Sequence, residues 1–151
     1  MTLQKKSIQS SSAYAVLLLG VFTFLFLGTE YMYVNMLSRT VGEEQTVIAQ
    51  NYALGVSALG FFLYPPIRRF WKRSAKTGLP VFLALVAVGC NFFIQRQGSY
   101  RSTLLSGLTL FLVLGFLGST VHYLFFKLVA DWDRLARLVG LSYGLGILLQ
   151  F

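Results

Sequence analysis

The sequence predicts an all-α fold, a polytopic bundle of transmembrane helices, and three observations carry that reading. Apolar residues make up 56% of the 151 positions and charged residues only 12%, about half the usual ~25% of soluble proteins. The apolar residues come in long uncharged segments. Basic residues gather in the short connections between those segments. A soluble domain of this length could not bury so much apolar surface, whereas a bilayer is itself an apolar solvent. Spanning strands are excluded because they alternate in polarity over about ten residues. These segments are apolar all round, as lipid-embedded helices must be.

Residues 1–12 read as a polar tail on the cytoplasmic side, and 13–151 as the transmembrane domain. The first segment runs without charge from Ala13 to Thr29 and stays apolar to Leu37, giving a helix over about 13–37. It follows Lys5 and Lys6, as a secretory signal would. It is longer than a signal core of about 7–15 residues, and no small-x-small cleavage site follows. It therefore reads as a retained span. The second segment is uncharged from Thr46 to Ile67, with a helix over about 47–66 ended by Pro65 and Pro66, since proline disfavours continued helix. The third helix is expected over about 77–95 and the fourth over about 102–127. All four meet the ~20 residues needed to cross a bilayer. The fifth, about 138–151, is too short and reads as a span cut off at Phe151, so the chain is expected to be a fragment that lacks the remainder of its bundle.

Charge sets the orientation. The tail (Lys5, Lys6), the second connection (Arg68, Arg69, Lys72, Arg73, Lys76) and the fourth (Lys127, Arg134, Arg137) hold ten of the thirteen basic residues. Arg39, beside Glu43 and Glu44 in the first connection, and Arg96 and Arg101 in the third occupy the other side. The positive-inside rule then predicts a multi-pass protein of the plasma or inner membrane with its N-terminus in the cytoplasm. The net charge of +8 does not imply nucleic acid, because the basic residues form interhelical runs rather than a patch on a polar surface. Lone Cys90 permits no disulfide within one chain and suits a small packing residue.

The chain also resembles itself. Phe26-Leu27-Gly28-Thr29 recurs as Phe116-Leu117-Gly118-Ser119, offset by 90, and Tyr52-Ala53-Leu54-Gly55-Val56 as Tyr143-Gly144-Leu145-Gly146-Ile147, offset by 91. A three-helix unit repeated in tandem enters the membrane from opposite sides, which is the inverted-repeat plan of many secondary transporters. A sixth helix is then expected about 90 residues beyond the third.

The second connection, Tyr64-Pro65-Pro66-Ile67-Arg68-Arg69-Phe70-Trp71-Lys72-Arg73, resembles the signature loop of the major facilitator superfamily. Arg69, Lys72 and Arg73 fall on its basic positions. Tyr64 and Trp71 replace its two glycines and Arg68 replaces its acid, which puts the family's gate latch in doubt. The resemblance implies the N-terminal part of an inverted 3+3 helix half. It also implies a cytoplasmic gating role for Arg68, Arg69, Lys72 and Arg73, and alternating access for an unknown small-molecule substrate. The plainer reading of the same charges is an anchor on anionic headgroups. The alternative function is a membrane-embedded sensor or regulator that keeps such a fold without transport.

Three residues are candidates for a substrate or proton pathway. Glu30, about 25 Å along the first helix, is the acid within a span. It reads as a coupling carboxylate or as an interfacial Glu beside an aromatic belt of Tyr31 and Tyr33. His122 is the sole histidine and lies near the inner end of the fourth helix. It shares a face with Gly107, Phe111, Gly115 and Gly118. It reads as a titrating group or as a packing donor. Asn51 precedes the repeated Tyr-small-Leu-Gly element and suits a cavity. Gln50, Asn35 and Asn91 read as structural hydrogen-bonding residues. Gly140 and Gly144 form a small-xxx-small face on the fifth helix, and Asp131 and Asp133 beside Arg134 read as a solvated ion-pair loop. No catalytic constellation, metal cluster or nucleotide loop is evident, so neither an enzyme nor a cofactor is expected.

Overall fold

The computed structural model describes residues 2–70, 75–96, 99–129 and 132–151, and side chains are described outside 1–10, 71–77, 97–98 and 130–132. The described residues are helical with short turns and contain no strand. Helix α1 spans Thr2–Ser38, α2 Glu43–Phe70, α3 Ala75–Gln95, α4 Tyr100–Leu128 and α5 Leu135–Leu148, the last preceded by a 3-10 turn at Trp132–Arg134. Four of these are long and apolar enough to cross a membrane, over Ser11–Ser38, Glu43–Phe70, Gly78–Gln95 and Tyr100–Leu128; α5 is a shorter apolar helix. The protein is thus an all-α, multi-pass chain suited to a bilayer.

Two expectations about boundaries need correction. The polar residues ahead of Ala13 continue α1 back to Thr2. They contain no glycine or proline, so nothing local interrupts the helix once the apolar segment has nucleated it. Pro65 and Pro66 lie inside α2 and do not end it at 66. A proline removes its own amide donor and crowds the preceding turn, but it does not prevent Ile67 to Phe70 from taking helical angles. The ends of α2 also suit its macrodipole, with Glu43 and Glu44 in the first turn and Arg68 and Arg69 in the last, each worth a few tenths to ~1 kcal/mol where exposed.

The turn after α1 is closed on a single acceptor. The Leu37 carbonyl receives the Thr40 amide at 2.8 Å, the Val41 amide at 3.0 Å and the Thr40 hydroxyl at 2.9 Å. Asn35 is spent here as well: its carbonyl accepts from Ser38 Oγ at 2.9 Å and its Oδ1 from Arg39 Nε at 3.3 Å.

The chain forms two compact units whose boundaries fall within α1 and α4. The first comprises Met1–Gly28 and Val121–Phe151. Its core is Ala15, Leu19, Phe125 and Val129, flanked by Val121, Leu128, Leu135, Leu138 and Val139. In this unit α1 and α5 meet through small residues. A Cβ at Gly20 would lie 3.2 Å from the Ser142 carbonyl oxygen, and one at Gly146 would lie 2.8 Å from that of Gly20. Ser142 and Gly146 are buried, whereas Gly140 and Gly144 face open space. The expected small-xxx-small face is therefore shifted by two residues, or about 200° around the helix. The Gln150 side chain ties down the same pair by donating to the Phe24 carbonyl at 3.1 Å.

The second unit comprises Thr29–Thr120. Its α2 buries Thr46, Ala49, Ala53 and Gly60, a stripe of small residues at helical spacing that permits close helix approach. Gly60 lies against the Leu112 backbone, and Gly115 lies against the Ser57 carbonyl. Tyr64 on α2 meets Phe116 on α4 edge-on, 5.2 Å between ring centres. In contrast, α3 leaves Val81, Phe82, Leu85, Val88, Phe92 and Phe93 exposed, an apolar surface suited to lipid.

Candidate functional site

Glu30 on α1 sits in the second unit, one turn before buried Tyr33. Gln50 on α2, adjacent to the buried small stripe, donates from Nε2 to Glu30 Oε1 at 2.7 Å. Both side chains are half-buried. A hydrogen bond of this length to a carboxylate is charge-assisted and stronger than a neutral one. The small residues Ala49 and Ala53 bring the α2 backbone close, and a Gln side chain then reaches across. The partner is a neutral amide.

Tyr33 was expected with Tyr31 in an aromatic belt. Only Tyr31 is exposed. Tyr33 is fully buried, with its ring over Gly107 and 5.5 Å from that of Phe111. Its hydroxyl has no hydrogen-bond partner among the described residues. Gly107, Phe111, Gly115 and Gly118 are all buried, so this face of α4 supports close packing as its sequence predicts.

Asn51 follows Gln50 but lies about 100° further around α2, and its side chain is exposed. The structure thus brings Glu30 and Gln50 together and leaves Asn51 outside that contact. Arg69 is exposed, and the Arg68 guanidinium lies over the Tyr64 ring, 5.9 Å from its centre. Lys72 and Arg73 lie outside the described residues.

His122 on α4 belongs to the first unit. Its Nε2 is 2.8 Å from the Tyr143 hydroxyl on α5. Gln50 lies in the same unit as Glu30, and Tyr143 in the same unit as His122. Tyr143 was not singled out from the sequence as a partner, although it opens the repeated element. Tyr143 and its counterpart Tyr52 are both exposed, at 39% and 64%.

Several other polar residues donate to the backbone. Asn91 Nδ2 donates to the Ala87 carbonyl at 3.2 Å. Thr23, Thr120 and Ser142 donate to carbonyls four residues back in their own helices. Cys90 is half-buried. Asp133 lies in the 3-10 turn with Arg134, and Asp131 lies outside the described residues. Among the described residues no group of three or more His, Cys, Asp or Glu is placed to hold a metal. No protein-family model, curated protein or solved structure matches the chain.

Proposed function

We propose that these helices belong to a major-facilitator-like secondary transporter of a small solute, with Glu30 as its proton- or cation-linked carboxylate. The observation that carries this reading is the 2.7 Å contact from Gln50 to Glu30, inside the candidate span Ser11–Ser38. An acid within a span marks an ion or proton path by default. Gln50 holds it without neutralising it. The orientation that places the tail and Arg68, Arg69, Lys72 and Arg73 in the cytoplasm belongs to the same proposal and rests on the distribution of basic residues.

The test uses the whole protein in liposomes enclosing a pH-sensitive dye, challenged with a panel of small solutes. Solute-dependent proton movement is expected, and Glu30→Gln should abolish it. Proton movement unchanged by Glu30→Gln removes that residue from the mechanism. A second reading, a membrane-embedded sensor or regulator of similar fold, is favoured by Arg68 at the acid position of the signature loop and by the outward exposure of Asn51. Proton movement with none of the solutes would support it.

A further inference from the structure

The last turn of α2, Ile67 to Phe70, stays helical beyond two consecutive prolines. In an α-helix each amide donates to the carbonyl four residues back. Pro65 and Pro66 have no amide hydrogen, so the bonds that would run to the carbonyls of Phe61 and Phe62 are missing side by side. The turn beyond them also lies at a helix end, where helices fray. Backbone bonding alone therefore holds Ile67 to Phe70 less firmly than an ordinary terminal turn.

Side chains cross the same gap. Tyr64 precedes the prolines and Arg68 follows them, four residues apart and so neighbours on one face of the helix. The Arg68 guanidinium lies over the Tyr64 ring, 5.9 Å from its centre, within range of a cation–π contact. Arg68 is half-buried, whereas Arg69 beside it is exposed. The Tyr64 ring is itself set against α4, meeting Phe116 edge-on with 5.2 Å between centres. One turn earlier, Gly60 lies against the Leu112 backbone, so the stretch of α2 ahead of the prolines is anchored on α4. We propose that Arg68 and Tyr64 brace the proline pair, keeping the last turn of α2 wound and tying it, through Tyr64 and Phe116, to α4. This brace is separate from the Glu30–Gln50 contact and does not depend on what the helices transport.

The test is hydrogen–deuterium exchange of the full chain in nanodiscs, read by mass spectrometry as protection of the Arg68, Arg69 and Phe70 amides. Arg68→Gln and Tyr64→Leu should each lower that protection about two- to fivefold, the factor that one exposed cation–π contact implies. Both residues make other contacts as well, which the double variant separates from this one. It should lose clearly less than the product of the two single losses. Tyr64→Phe keeps the ring and Arg69→Gln removes only the neighbouring charge, so both should leave protection unchanged. Unchanged protection in Arg68→Gln overturns the proposal. So does an equal loss in Arg69→Gln, a loss in Tyr64→Phe as large as in Tyr64→Leu, or strict additivity in the double variant. If Tyr64→Leu loosens α2 as a whole by disturbing Phe116, Arg68→Gln, Arg69→Gln and Tyr64→Phe still decide the matter.

Discussion

Gly115 on α4 rests directly on the backbone carbonyl of Ser57 on α2, and a Cβ there would collide with main-chain atoms. Backbone cannot swing aside as the tip of a side chain can. Gly115→Ala should therefore destabilise the second unit by about 1–3 kcal/mol, the usual cost of overpacking. Gly55 on α2 faces open space, so Gly55→Ala should be neutral or stabilising by up to ~1 kcal/mol through helix propensity. Thermal unfolding in detergent compares the two. Equal effects would show that the α2–α4 contact is not held by that glycine.

The Glu30–Gln50 contact should appear as a coupling energy. Single and double variants, Glu30→Ala and Gln50→Ala, form a cycle that isolates it. Hydrogen bonds between membrane helices average ~0.6 kcal/mol, with a maximum near 1.7. The charged acceptor argues for the upper part of that range. Strict additivity of the two single variants would contradict the 2.7 Å contact.

Tyr33 should respond unusually to loss of its hydroxyl. The group is buried without a partner among the described residues, a condition that costs about 1–3 kcal/mol. Tyr33→Phe keeps the ring over Gly107 and against Phe111 and removes that cost. The variant should be as stable as the parent or more so. A loss of more than about 1 kcal/mol would reveal a partner for the hydroxyl, such as an ordered water.

The proposed orientation is checked by labelling. In a Cys90→Ala background, Ser74→Cys should react with a membrane-impermeant maleimide only from the cytoplasmic side and Glu43→Cys only from the other. Accessibility of both from one side would sink the topology.

What the sequence revealed and what it concealed divide along physical lines. The four long apolar helices were legible because membrane burial is a property of single segments, and hydropathy reads segments. Small residues at Gly107 and Gly115 also announced a packing face, since helical spacing fixes which residues share one. The pairing of Glu30 with Gln50 was not legible, because it depends on how α2 is rotated against α1 and composition does not record rotation. The same uncertainty placed the α5 contact at Gly140 and Gly144 when it lies at Ser142 and Gly146. Tyr33 looked like its neighbour Tyr31, yet two residues are about 200° apart on a helix, enough to turn an interfacial ring into a core one. The end of α2 was misread because prolines were weighed as terminators, while their local effect is the loss of two amide donors.

That loss has a mechanical side. An α-helix resists bending because each turn is strapped to the one before it by amide hydrogens, and Pro65 and Pro66 supply none. The final turn of α2, with Arg68 and Arg69, is thus attached through a compliant joint, while the segment around Ser57 and Gly60 is clamped to α4. Bending of that final turn is therefore opposed by two fewer hydrogen bonds than in an unbroken helix.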